Sequence, residues 1–402
     1  MAVGCRPLLP ARLVSTLLAS VALWPWLAMA APLQSSTARP PSRVERVAVF
    51  GTDDRTVPPS QYAAIKNQIG LVYNTQAKTV CTAFCLGPKL VATAAHCVFK
   101  ISGADKLPKL SDFVVAMPRA VDREMSPISG ATLGSAQQNV ISGANEIRVK
   151  PPIDAASDWA LLRLANPICE GAFEVKALPA EELVQKARAG QVFMLSYHRD
   201  YPDWRLAYSK PCEVEQDYKG SPKWTEIKRD FSRSDLLILH RCDTGGASSG
   251  GPILVEGKDG VFVAGINVGT YVQSRVTVRD QVPSRRARQE VVANTAVSVA
   301  AFASLIDVFR DARIIETADG LRALQQRLAA LKLYSGAIDG AYGPKLKAAI
   351  AEFERSRGLA PTGIASETLL RLSTEAVAVP TSAPVVPGPL PRRPPPPIQR
   401  LP

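Results

Sequence analysis

From Val44 to about Val299 the chain is a succession of short segments in which apolar residues alternate with polar ones or run unbroken. The clearest are Val47 to Phe50, Ile69 to Asn74, Leu90 to Ala95, Phe113 to Met117, Trp159 to Leu164, Val192 to Tyr197, Leu236 to Leu239, Ile253 to Val255 and Val261 to Val268. Turns rich in Gly, Pro, Asp and Ser separate them, which predicts an antiparallel all-β body. Between Val299 and Arg313 the period becomes helical, with Phe302, Leu305, Ile306 and Phe309 on one face. A second unit starts near Thr317, where Leu321, Leu324, Leu328 and Leu331 recur at helical spacing. A turn from Ser335 to Gly343 follows, then a helix marked by Leu346, Ile350 and Phe353, and a short third helix that Ser366 can cap. This predicts a small helical bundle over 317–373. Beyond it, 374–402 is dominated by proline, a composition that cannot bury a core and predicts an extended or disordered tail.

The first thirty residues change the picture at the other end. Arg6 and Arg12 precede an apolar run from Leu13 to Trp26 and the small-x-small sequence Ala28-Met29-Ala30, the pattern of a secretory signal peptide cut after Ala30. The run is shorter than the roughly 20 residues that a spanning helix requires, and no later stretch is apolar enough, so no membrane span is expected in the mature chain. Residues 31–43 are small, polar and proline-bearing and read as a leader or propeptide remnant. The 402 residues leave room for two or three domains, and an apolar fraction of 46% with 21% charged excludes a wholly disordered or collagen-like chain. The net charge of +12 favours anionic surfaces such as cell-wall carboxylates, membranes or nucleic acid without choosing among them, and no nucleic-acid partner is expected from the rest of the reading.

With Cys5 in the signal segment, Cys81, Cys85, Cys97, Cys169, Cys212 and Cys242 remain, an even number in a chain bound for an oxidising compartment. Disulfides are expected, with fifteen connectivities open to six cysteines. There is no C-x-x-C pair, and His96, His198 and His240 are not spaced as ligands, so neither a metal nor another cofactor is expected.

Three short motifs carry the chemistry. Thr93-Ala94-Ala95-His96-Cys97, Asp158-Trp159-Ala160-Leu161-Leu162 and Ser248-Ser249-Gly250-Gly251-Pro252 resemble, in order, the His, Asp and Ser signatures of chymotrypsin-like serine proteases. The resemblance implies an all-β double barrel over 44–315 with His96, Asp158 and Ser249 as the triad. A serine hydroxyl is a weak nucleophile at neutral pH and requires a base such as a neutral imidazole, which a carboxylate on its other nitrogen holds in the correct tautomer. Each residue read alone has a plainer role: a core histidine bound to a carbonyl, or an aspartate in a surface turn. The amides of Ala247 and Ser249 take the oxyanion-hole place. Most of the family has Gly where this chain has Ala247, and Ala at a positive φ costs about 1 kcal/mol or more. Ser248 is the alternative nucleophile, with Gly246 then in the glycine place. Ser248 also replaces the aspartate that receives the cut N-terminus in chymotrypsin and trypsin. Val49-Phe50-Gly51-Thr52-Asp53-Asp54-Arg55 and Leu86-Gly87-Pro88-Lys89-Leu90-Val91-Ala92-Thr93 are similar to bacterial glutamyl endopeptidases, which lack that aspartate. The resemblance places Asp243, Thr244 and Asn267 at the specificity pocket. Asn267 stands where those enzymes have a histidine, and Asp243 stands by count where trypsin has its carboxylate, which implies a basic preference unless Asp243 turns away to brace a loop.

The same resemblance implies Cys81 with Cys97 as the histidine-loop bridge and then Cys212 with Cys242 leading into the serine loop; Cys85 with Cys169 is the remainder, with a free core thiol at either as the other reading. In the second unit, Leu324-Gln325-Gln326-Arg327-Leu328, Tyr334 to Gly343, Ala348 to Phe353, Gly358-Leu359 and Thr362-Gly363 resemble the peptidoglycan-binding-like domain, a three-helix bundle. Asp339 can cap its loop, and Asp339 and Tyr342 are its wall-binding candidates, with simple packing the other reading of Tyr342. The expected function is a secreted or periplasmic serine endopeptidase acting on protein or peptide and held near the cell wall by peptidoglycan. The alternatives are a catalytically silent protease-like scaffold and a hydrolase of peptidoglycan peptides.

Overall fold

The computed structural model describes residues 48–101, 108–131, 135–210, 212–279 and 282–378. The signal segment 1–30, the 31–43 leader, Val44 to Val47 and the tail beyond Ala378 lie outside the described residues. The body holds two seven-stranded sheets. The first runs, in spatial order, Arg123–Pro127, Phe113–Pro118, Ile69–Asn74, Val80–Gly87, Leu90–Thr93, Ala160–Arg163 and Val140–Ser142, all antiparallel. The second runs Leu206–Ser209, Val192–Tyr197, Pro252–Glu256, Val261–Arg279, Val282–Ser298 and Leu237–His240. Glu174–Val175 joins it by pairing parallel with Phe262 and Val263, and Lys100–Ile101 pairs parallel with Glu146–Ile147, so the body is all-β but not wholly antiparallel. Of the expected segment Val47 to Phe50, Val47 lies outside the described residues, and Ala48 makes an isolated bridge to Thr244.

The strands that read as unbroken apolar runs are buried on both faces. Val91 and Leu162 face a core inside the first sheet, with Val72, Val115 and Met117, whereas their neighbours Ala92 and Leu161 face a core shared by the two sheets. In the second sheet Met194 and Ile253 point into its own core and Phe193, Leu195 and Leu254 into the shared one. Successive strand residues point to opposite faces, so each such strand serves two cores at once. This is the double-barrel class of the trypsin-like fold. The helix Ala303–Asp311 closes the body through Phe302, Ile306 and Phe309, with the Phe302 ring 5.3 Å from that of Trp159.

Three helices follow, Ala318–Ala330, Pro344–Ser356 and Glu367–Ala378, around a separate core of Leu321, Leu324, Leu328, Leu346, Ile350 and Phe353. Thr317 caps the first by accepting from the Gly320 amide, and Ser366 caps the third by accepting from Leu369. The third helix runs on to Ala378, so the extended segment expected from 374 cannot begin before 379. No helix among the described residues is long and apolar enough to cross a membrane.

Candidate active site

His96 and Asp158 sit at the same end of two paired strands. Thr93 is the register partner of Ala160. The chain leaves Thr93 through the short turn Ala95–Cys97 that holds His96, and it enters Ala160 from the turn Ala155–Ser157 directly after which Asp158 stands. Asp158 is buried and meets His96 twice. Its Oδ1 accepts from the His96 backbone amide at 2.8 Å and its Oδ2 lies 2.7 Å from Nδ1. The carboxylate therefore fixes both the main chain and the ring, and a proton on Nδ1 leaves Nε2 as the basic nitrogen. Burial opposes a charged imidazole, but the Asp158 carboxylate prevails and holds the His96 pKa above its ordinary value.

The serine loop comes from the second sheet and is seated against the histidine segment. Gly250 has φ +84°, and a Cβ there would stand 2.1 Å from the Thr82 carbonyl oxygen, 2.3 Å from Thr93 Oγ1 and 3.1 Å from the Ala94 amide. Only glycine lets the residue after Ser249 approach the strand that leads to His96. Thr82 completes the joint: its amide donates to the Ser249 carbonyl at 2.8 Å, and its hydroxyl donates to the Ala247 carbonyl at 2.8 Å and accepts from the Tyr197 amide at 3.1 Å. Ala247 has φ +78°, a left-handed conformation that costs a residue with a Cβ about 1–2 kcal/mol. Among the described residues, neither the Ala247 nor the Ser249 amide donates to a protein acceptor, and Ser249 Oγ has no hydrogen-bond partner. A hydrogen bond between nucleophile and base is often loose before substrate arrives.

Ser248 is placed differently. It is 3% exposed, and its hydroxyl donates to the Gly245 carbonyl at 2.8 Å. The Asn267 amide group donates to its carbonyl oxygen at 3.1 Å and lies 3.3 Å from its hydroxyl.

Of the pocket residues implied by the resemblance, Asp243 lines a cleft of about 450 Å³ with Val49, Phe50, Gly51, Asp54, Glu213 and Arg241, whereas Thr244 and Asn267 do not line it. Asp243 is buried and accepts from the amides of Phe50 at 2.8 Å and Asp54 at 3.2 Å, so it braces the segment 48–54 instead of waiting for a basic side chain. These bonds fit the bracing role of Asp243 better than a basic preference. Partial burial and the neighbouring Asp243 raise the Asp54 pKa to about 6. Thr244 exchanges backbone hydrogen bonds with Ala48, and Asn267 is consumed by Ser248 and His240.

Two histidines to which the sequence assigned no role support the same loop. His198 accepts at Nδ1 from the Gly245 amide at 2.9 Å, and burial pushes its pKa down to about 3. His240 accepts at Nδ1 from the Cys242 amide, faces Asn267 Oδ1 with Nε2 at 3.1 Å, and is pushed down to about 4 by burial. Both are neutral struts. The available signal was scarcity: the chain has three histidines, and all three stand at or behind the serine loop.

Cys81 is bonded to Cys97, Cys85 to Cys169 and Cys212 to Cys242. Cys81, His96 and Cys97 are the cluster among the described residues with metal-like proximity, but the two sulfurs are bonded to each other and offer no thiolate. In the helical unit the wall-binding candidates are occupied internally. Asp339 Oδ1 accepts from the Ala341 amide and from Gln325 Nε2, and the Tyr342 hydroxyl donates to the Gly363 carbonyl at 2.7 Å. Gln325, fully buried, ties that loop down by also donating to the Ala341 carbonyl and accepting from the Gly340 amide. Both side chains thus take part in the loop scaffold.

Residues 81–264 match the model of the trypsin-like peptidase domain, and residues 317–372 match that of a putative peptidoglycan binding domain. No curated protein matches the chain. Among solved structures, "Structure of Glu endopeptidase in complex with MPD" is similar at 16% identity and a TM-score of 0.40, covering 65% of this chain and 98% of that one. That likeness is too slight to bear on activity or specificity. The two domain matches lie on the all-β body and on the helical bundle, so the body carries a region similar to trypsin-like peptidase domains and the bundle one similar to putative peptidoglycan binding domains.

Proposed function

We propose that the protein is secreted and cleaves peptide bonds through Ser249, His96 and Asp158, and that its C-terminal domain holds it at the cell wall. The observation that carries the reading is the double contact of Asp158 with the amide and ring of His96, on the strand against which Gly250 seats the serine loop. In this reading His96 Nε2 takes the Ser249 hydroxyl proton as Oγ attacks the substrate carbonyl. Asp158 stabilises the imidazolium that forms, and His96 returns the proton to the leaving amine. The uncommitted amides of Ala247 and Ser249 receive the negative charge that develops on the carbonyl oxygen. Burial of the Ser248 hydroxyl in its bonds to Gly245 and Asn267 favours Ser249 as the nucleophile. Three disulfides favour an oxidising compartment, and residues 317–372 favour peptidoglycan as the wall partner.

Two measurements test the two halves. Casein should be cleaved by the wild type and left intact by Ser249→Ala, with unchanged circular dichroism; equal cleavage by the variant overturns the peptidase half. The Ser249→Ala chain should sediment with purified sacculi, and a truncation ending at Arg313 should not. Equal sedimentation of the two overturns the wall-holding role of the bundle.

A further inference from the structure

A cleft of about 620 Å³ opens between an edge strand of each sheet, Arg123–Pro127 from the first and Leu206–Ser209 from the second. Four cations line it, Lys66, Arg119, Arg123 and Arg205, against one carboxylate, Glu170. Arg119 is already engaged, by Glu124, Glu170 and the carbonyls of Pro118 and Ile168. Lys66 and Arg123 have no carboxylate partner among the described residues. Lys66 is exposed, and Arg123 is held in place without being neutralised. Its guanidinium lies 4.9 Å from the centre of the Tyr197 ring and donates to the Trp204 carbonyl at 3.1 Å. Apart from Asn67 the rest of the lining is apolar or aromatic, and Val57, which lines it with Trp204 and Leu206, is 62% exposed. A fixed, unneutralised arginine over an aromatic ring, beside exposed apolar surface, suits a ligand that brings carboxylates and apolar side chains together. A polyphosphate would meet the cations but would leave the apolar wall uncovered.

The cleft is also joined to the serine loop. Tyr197, whose ring lies under Arg123, gives its amide to Thr82 Oγ1, and Thr82 in turn bonds to Ala247 and Ser249. The link runs through the buried Thr82, so the wall of the cleft and the serine loop share one support. We infer that the cleft is an accessory site for an acidic, apolar-bearing segment of the protein substrate, away from the cleaved bond. The assignment of the segment to the substrate rests on the peptidase reading, whereas the binding itself does not.

The test is fluorescence anisotropy with a fluorescein-labelled peptide of five Glu-Leu repeats, on the Ser249→Ala chain so that no cleavage intervenes. Saturable binding is expected, weakened at least tenfold by Lys66→Glu combined with Arg123→Glu, and absent for the Lys-Leu counterpart. Lys66→Glu alone changes an exposed side chain and should weaken binding about threefold, which covers the case in which the double variant fails to fold. Binding that is absent, or unchanged in Lys66→Glu and in a folded double variant, overturns the site. Displacement of the peptide by polyphosphate at equal charge concentration would reassign the cleft to polyanions and overturn the peptide reading. A cleft that binds while casein is not cleaved would refute the peptidase reading and leave the acidic-peptide site standing.

Discussion

Ala247 and Gly250 have nearly the same backbone, φ +78° and +84°, three residues apart on the serine loop, yet the structure predicts opposite responses to exchange. At Ala247 the Cβ is the source of strain. Replacing it with glycine removes about 1–2 kcal/mol of left-handed cost, against about 0.5–1 kcal/mol for the greater freedom of glycine in the unfolded chain. Ala247→Gly should therefore stabilise the body by about 0.5–1 kcal/mol and raise its melting temperature by roughly 1–4 °C. The amide assigned to the oxyanion is retained, so kcat/KM should stay within about twofold. At Gly250 a Cβ would press into backbone and a buried hydroxyl at 2.1 and 2.3 Å, so Gly250→Ala must push the serine loop off the histidine strand. It should lower the melting temperature and cut kcat/KM by at least about a hundredfold, the order expected when the reacting groups are misplaced. Calorimetry and peptide hydrolysis on both variants decide the matter. A lowered melting temperature in Ala247→Gly, or an active and stable Gly250→Ala, would refute the reasoning.

Three further outcomes follow from other parts of the molecule. Because Asp158 holds the His96 pKa above its ordinary value and only the neutral ring can act as base, kcat/KM should be lost on acidification with a midpoint above about 6.5; a midpoint at or below that value would contradict the assigned role of Asp158. Asp54, raised to about 6 from 3.8, keeps a proton in the folded chain that the unfolded chain has released, so its contribution to stability is present at low pH and declines as pH rises from about 4 to 6. Asp54→Asn should raise the melting temperature at pH 8 more than at pH 4, and an equal shift at both would dismiss the Asp54–Asp243 interaction. Gln325→Leu strands the Gly340 amide and should lower the calorimetric transition of the helical unit by at least about 4 °C; an unchanged transition would show that the loop does not depend on that side chain.

The parts of the fold legible in the sequence were those where pattern and burial agree. Ile69–Asn74 and Val192–Tyr197 have the bounds their composition predicts. Val80–Gly87 escaped because two cysteines, threonine and glycine interrupt its apolar run, although it is central to the first sheet. Val282–Ser298 escaped because Arg285, Arg286, Arg288 and Glu290 break any apolar alternation. Glu174–Val175 is too short to carry a periodicity. In the site, motif spacing located His96, Asp158 and Ser249 along the chain. It did not reveal which way Asp243 points, because counting fixes a position and not a direction, and the amides that claim its carboxylate lie some 190 residues away. Gln325 was visible only as part of a Leu-Gln-Gln motif, since nothing local tells a buried glutamine from a solvated one.

The central claim is that Ser249, and not its neighbour Ser248, is the nucleophile that His96 activates. The most direct measurement is to label the wild-type chain with a fluorophosphonate and locate the phosphonyl group by tandem mass spectrometry of the peptide spanning 242–256. The account predicts one adduct, on Ser249, persisting in Ser248→Ala and lost in Ser249→Ala and His96→Ala. An adduct on Ser248, or no adduct on a folded chain, would contradict it.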